Sequence, residues 1–189
     1  MPRVSEEHLA ARRRQILDAA RTCFLREGFH ATTMHHVIAE AGLSVGAVYR
    51  YFKSKNEIVK AIAEEAFIEI DKRMGAASQR EPAMSVLEFA EHAISFIDAQ
   101  SGPQGAFRMA LPVWAEALRD PVLGEFVNGK FSKMRGHFIL AAKRAGVSNP
   151  EAAGTVLFGL IPAFGVQRLL TGYPDKETFF AGIKVLMEG

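Results

Sequence analysis

A single cysteine, Cys23, in 189 residues rules out an internal disulfide and any cysteine-cluster metal site. Between Ala20 and Phe24 it reads as a small core residue, without the resolving cysteine a redox sensor needs. The sequence also lacks an uninterrupted apolar run of the roughly 18 residues that a membrane span requires. Its opening residues, Met1 to Glu7, contain none of the apolar stretch of a signal peptide, so a cytoplasmic protein without membrane attachment is expected. Internal repeats and low-complexity linkers are missing, and nowhere is the period-two alternation of a half-buried strand sustained. Enzymatic signatures are scarce too. No metal-ligand cluster, phosphate-cradling glycine loop or nucleophile elbow occurs, and no motif brings Glu116 and His137 together as an acid and a base. The adjacent His35 and His36 would diverge by about 100° on a helix, with no third ligand fixed nearby. Neither an enzyme nor a metal or cofactor site is expected.

What is present is apolar residue, 49% of the chain, ample for a core. The net charge of +2 hides an asymmetry. Residues 1–60 carry ten lysines and arginines against six acids, a net +4, and the remainder carries thirteen against fifteen, a net −2. Four of the six histidines lie in the same first sixty residues. A basic front on a near-neutral body suits a polyanionic partner at one end, although an ordinary solvated surface could have the same composition.

The periodicity is helical almost throughout, which predicts an all-α fold of about nine helices. Ile16, Ala20 and Phe24 recur at i, i+4 and i+8 in a first helix from Glu6 to Glu27, closed by Gly28. Two short helices follow, 33–41 and 45–52, separated by Gly42-Leu43-Ser44. Ser54-Lys55-Asn56-Glu57 has the pattern of a capping box and opens a long helix to Ser78. Ser85-Val86-Leu87-Glu88 repeats that pattern for a fifth helix ending near Ser101-Gly102-Pro103. A sixth is expected over 104–118, with Pro112 as a kink or restart. Asp120-Pro121 and Asn149-Pro150 each place a capping side chain before a first-turn proline, starting helices that run to Ala145-Gly146 and Gly172. Asp175 starts the last.

Two helices too short to persist alone, joined by three residues that include a glycine, form a helix-turn-helix layout. Val37, Ala41, Leu43, Val48 and Phe52 can close a small core against the first helix. Val45, Gly46, Ala47, Tyr49, Arg50 and Tyr51 are left toward solvent or DNA. Small residues and tyrosines are an odd choice for a solvated face, but they suit a helix that enters the major groove closely.

Residues 10–60 resemble the DNA-binding domain of the TetR/AcrR family of repressors. The likeness rests on Gly28-Phe29, Thr32-Thr33, the Ala41-Gly42-Leu43-Ser44 turn, Val48-Tyr49-Arg50-Tyr51-Phe52 and Ser54-Lys55-Asn56-Glu57. The resemblance implies an N-terminal three-helix DNA-binding domain, residues 1–53, and a C-terminal ligand-binding and dimerisation domain, residues 54–189. It implies a homodimer on a palindromic double-stranded DNA operator, released by a small, largely apolar inducer. Position by position, it implies phosphate contacts from Thr33, Tyr49, Tyr51 and Lys55, a DNA contact from His35, and a backbone or base contact from Arg50. Ser44, Val45, Gly46 and Ala47 would form the leading end of the recognition helix. The sequence departs from the family at His35-His36, where an Arg-Asp pair is commoner, and at Gly46, where many relatives place Lys or Pro. A DNA-binding regulator without an inducer is the alternative reading.

In the body, Phe89, Phe96, Phe107, Met109, Trp114, Phe131, Met134 and Phe138, with Glu116 and His137 as polar anchors, are the candidate ligand set. Ligand pockets are about as apolar as cores, so composition is compatible with plain packing as well. Leu157, Ile161, Phe164, Phe179, Phe180 and Ile183 on the last two helices are the candidate dimer set, with Gly154, Gly159, Ala163 and Gly165 permitting close helix approach.

Overall fold

The computed structural model describes residues 5–102 and 105–188. The helices are α1 (Glu6–Glu27), α2 (Met34–Ala41), α3 (Val45–Tyr51), α4 (Lys55–Ser78), α5 (Val86–Gln100), α6 (Ala110–Ala117), α7 (Pro121–Arg144), α8 (Pro150–Thr171) and α9 (Lys176–Glu188), with a 3-10 turn at Ala106–Met109. No strand occurs among the described residues, and the all-α expectation holds. The expected start of the sixth helix at Gln104, after Pro103, lies outside the described residues, as do Met1 to Val4.

The caps explain why the boundaries fall where they do. Ser5, Thr33, Ser44 and Ser85 each accept a hydrogen bond from the backbone N–H three residues on, at the N-termini of α1, α2, α3 and α5. Glu88 returns the bond to Ser85, completing the second capping box. In the first, Glu57 instead accepts from the N–H of Lys53, one residue before Ser54. Asp120 Oδ1 accepts from Val122 and Leu123, and Asn149 from Ala152, as the proline-preceded starts require. Gly42 ends α2 at φ +62°, a left-handed conformation that costs glycine least. Pro112 lies in the first turn of α6, where its missing N–H would have had no helical partner, so the helix restarts at Ala110 instead of kinking.

The chain divides into two compact units, Met1–Ala66 with Met109–Leu123 and Phe67–Arg108 with Gly124–Gly189. The sequence-based boundary after residue 53 falls inside the first. α4 is one uninterrupted helix, and its first turns bury Ile58, Val59 and Ile62 in the core of the first unit with Ile16, Leu17, Ala20 and Phe24 of α1. Glu65 fastens the same two helices by accepting from Arg13 at 2.9 Å and Arg21 at 2.6 Å. In the second unit α5 packs on α8 and α9. There α8 comes so close that a Cβ on Gly154 would lie 2.5 Å from the backbone nitrogen of Ile139 in α7. Among the described residues α8 is also the one helix long and apolar enough to cross a membrane by length and composition. Its apolar residues divide between a buried and an exposed side, described below.

Candidate nucleic-acid interface

The helix-turn-helix is held from behind. Val37, Ala41, Val48 and Phe52 are buried as expected, and Leu43 is half-buried. Gln15 of α1 donates to the Ala41 carbonyl at 2.7 Å, which satisfies the last turn of α2. The forward side of α3 is open. Val45 is 51% exposed, Gly46, Tyr49 and Arg50 are exposed, and Ala47 and Tyr51 are half-buried. A Cβ on Gly46 would meet no atom within 4 Å, so nothing in the fold calls for glycine there. At the helix starts Thr33 and Ser44 are exposed, with their oxygens accepting from His36 and Ala47 and their hydroxyl protons still free to donate.

The two histidines differ. His35 is exposed, whereas His36 is bonded through Nδ1 to Glu27 at 2.7 Å, beside an Arg26 that bridges Glu27 and Glu40. Arg26 and His36 hold the Glu27 carboxyl below the usual range. Burial pushes the Cys23 thiol up, away from the reactive thiolate.

Lys55 has internal partners as well. Its ammonium points inward, donating to the carbonyls of Phe29 at 2.7 Å and Thr32 at 2.9 Å, and it lies 4.2 Å above the Phe29 ring. In the chain without DNA, Lys55 thus braces the turn between α1 and α2. Lys53, which the motif did not mark, donates to the Tyr49 carbonyl at the end of α3. Part of the positive excess is internal too, since Arg13 and Arg21 neutralise Glu65 just beyond the residue where the basic count stopped.

The ten candidate ligand residues separate. Met109, Trp114 and Glu116 belong to the first unit, and the other seven to the second. In the second, Phe89, Phe138, Phe158, Phe131 and Phe67 form a chain of edge-on rings with centroids 5.0 to 6.3 Å apart. Phe67 and Phe158, which complete this chain of rings, lie on helices whose sequence pattern was read for another role. Phe96 lies beneath Arg73, and Phe107 lies against Gly165. His137 is no free anchor: its Nε2 is 2.9 Å from Asp71 Oδ1, and Lys133 holds the other Asp71 oxygen at 2.8 Å. Lys133 first and His137 second keep the Asp71 carboxyl below its usual range. Beside them Met134, Phe67, Ile68, Asp71, Lys130 and Lys133 line a recess of about 140 Å³.

The candidate dimer residues are largely enclosed within one chain. Leu157, Ile161, Phe164 and Ile183 are buried within the protomer, and Phe179 and Phe180 are half-buried, with the Phe164 and Phe179 rings tilted at 45° and 5.1 Å apart. An exposed apolar surface does exist, on other residues. Val156 (63% exposed), Gly159, Ala163 and Leu170 (73%) follow one another along α8, and Val185 and Leu186 are open on α9. Gly154 and Gly165 serve close approach inside the protomer, whereas a Cβ on Gly159 would meet nothing within 4 Å.

Comparisons with known proteins agree with this geometry. Residues 16–62 match the family model for bacterial regulatory proteins, tetR family. An HTH-type transcriptional repressor of Mycobacterium tuberculosis is 42% identical over 87 residues, 46% of this chain and 44% of that protein, so the match spans less than half of that relative's length. The HTH-type transcriptional regulator BetI of Klebsiella pneumoniae is 25% identical over 188 residues, covering 94% of this chain and 91% of its own. In fold, a transcriptional regulator from Saccharomonospora viridis, solved in complex with choline, superposes with a TM-score of 0.78 at 18% identity over 95% of this chain and 96% of that one.

Proposed function

We propose that the chain, whose residues 16–62 match the tetR family model, is a cytoplasmic repressor of the TetR/AcrR type. It binds a palindromic operator as a homodimer and leaves it when a small, largely apolar ligand binds. The observation that carries the DNA-binding part is the two-sidedness of α3, whose back is sealed by Val48 while Val45, Gly46, Tyr49 and Arg50 face outward. Val45 to Ala47 read bases. Thr33, His35, Ser44, Tyr49, Arg50 and Tyr51 supply contacts to the backbone. Dimerisation uses the exposed residues of α8 and α9, and two-fold symmetry places the recognition helices about 34–36 Å apart on the operator. The aromatic chain of the second unit supports an apolar ligand, and the choline held by a regulator of this fold supports a small one.

Selection of bound DNA from a random pool, followed by anisotropy titration, tests the reading. Tyr49→Phe and Arg50→Ala are expected to weaken binding to every sequence, whereas Val45→Ser is expected to change which sequence is preferred. Equal effects of both sets across a sequence panel would contradict the assignment.

A further inference from the structure

One face of α4 meets one face of α7 around a group of charges that play no part in the DNA reading proposed above. Phe67, Asp71 and Gly75 recur every fourth residue on α4, and Lys130, Lys133, Met134 and His137 share a face of α7 at helical spacing. All of them belong to the second unit. Gly75 makes room for the His137 ring, since a Cβ there would lie 3.3 Å from its Cε1. Seated this way, His137 Nε2 lies 2.9 Å from Asp71 Oδ1, and the Lys133 ammonium donates to Asp71 Oδ2 at 2.8 Å. The carboxylate thus holds Lys133 in place while using only one of the three ammonium hydrogens. Lys130 brings a second ammonium, 5.2 Å from the centre of the Phe126 ring, and among the described residues no carboxylate is paired with it. Both lysines line the recess of about 140 Å³, together with Asp71, Phe67, Ile68 and Met134. Met134 is buried and Phe67 half-buried, whereas Ile68 is 59% exposed, a large apolar side chain beside two cations.

The volume is close to the roughly 150 Å³ of a cavity that holds a benzene ring, and a few polar groups set among apolar ones are the lining of a ligand site. Two ammoniums against one carboxylate leave a positive charge over. A cationic ligand would meet like charge, and a neutral ring would leave the spare ammonium hydrogens to water. We infer that the recess binds a small aromatic monocarboxylate, benzoate in size. Its ring lies on Phe67, Ile68 and Met134, which offer an aromatic edge, a branched alkyl group and a thioether, and its carboxylate accepts from Lys130 and Lys133. Asp71 is a positioning residue that acts through Lys133, and it keeps its own bond when the ligand gains one. The inference names the chemical class of the small ligand proposed above and rests on that reading of the second unit.

The test is titration of the full chain with benzoate, and with benzyl alcohol and benzylamine as its neutral and cationic counterparts, followed by methyl NMR. Saturable benzoate binding with a dissociation constant of about 1 mM or tighter is expected, with shifts at the Ile68 and Met134 methyl signals. The two counterparts are expected to bind about tenfold more weakly or worse. Lys130→Gln and Asp71→Asn are each expected to weaken benzoate by about two- to tenfold and to leave benzyl alcohol unchanged, a difference that a merely structural effect would not produce. Equal affinity for the three probes, no benzoate saturation below about 10 mM, or shifts confined to other methyl groups would overturn the site. If Asp71→Asn does not fold, Lys130→Gln decides. Operator release is scored separately by anisotropy. Benzoate that binds here and leaves operator affinity unchanged supports the site and counts against the inducer reading. Release by another small molecule, with no benzoate bound, supports the inducer reading and overturns the site.

Discussion

Three glycines show how differently one residue type can be used. Gly154 lies against the backbone of α7, so a methyl group there would sit 2.5 Å from Ile139 N and no rotamer change could relieve it. Gly154→Ala is expected to destabilise the protein by about 1–3 kcal/mol. Gly46 is exposed on α3, in open space and without positive φ. There Gly46→Ala is expected to stabilise by up to about 1 kcal/mol, because glycine is a poor helix former, while altering base preference through the added methyl. Denaturant melts of the two variants check the opposite signs, and a DNA panel checks the second consequence. Gly159 is also open, on the exposed apolar side of α8 proposed above to meet a second protomer. Sequence alone marks all three as small. Only the contacts of each backbone separate them.

At the scale of the element, the helices were legible because their ends are written in local chemistry. Ser, Thr, Asp and Asn caps, first-turn prolines and closing glycines sit within a few residues of the groups they satisfy, and the boundaries agree to within about two residues wherever these signals occur. What local pattern did not give was direction. α8 is apolar on two sides, so its period does not say which side faces the protomer's core and which faces outward. The expected dimer residues Leu157, Ile161 and Phe164 belong to the inner side. The bracing bonds of Lys55 were illegible for a related reason, since its acceptors lie 23 and 26 residues earlier in the chain. The outer stripe yields a prediction. Val156→Arg or Gly159→Arg is expected to give a folded monomer by light scattering with an unchanged helical spectrum, whereas Leu157→Arg is expected not to fold. A Gly159→Arg variant that stays dimeric would place the interface elsewhere.

For the whole molecule, acid is the most direct stress. Asp71, Asp120, Asp175, Glu27, Glu69 and Glu88 all have carboxyls held below their usual range, chiefly by hydrogen bonds that they accept as anions. A folded-state pKa below the unfolded one contributes stability that is present above the unfolded value, roughly pH 4, and is lost as pH falls through the folded value. Melting temperature is therefore expected to hold from neutrality to about pH 5 and to fall below about pH 4, less steeply in Asp71→Asn. A decline that begins nearer neutrality would point to histidine instead. DNA binding is governed by charge of the other sign and tests the central claim most directly. Anisotropy titration of the purified protein on DNA selected from a random pool is expected to show a two-fold symmetric site, two protomers per site, and an affinity that falls steeply between about 50 and 200 mM salt as counterions are released. A pool that enriches no sequence, with binding indifferent to salt, would contradict the claim that α3 is a reading head.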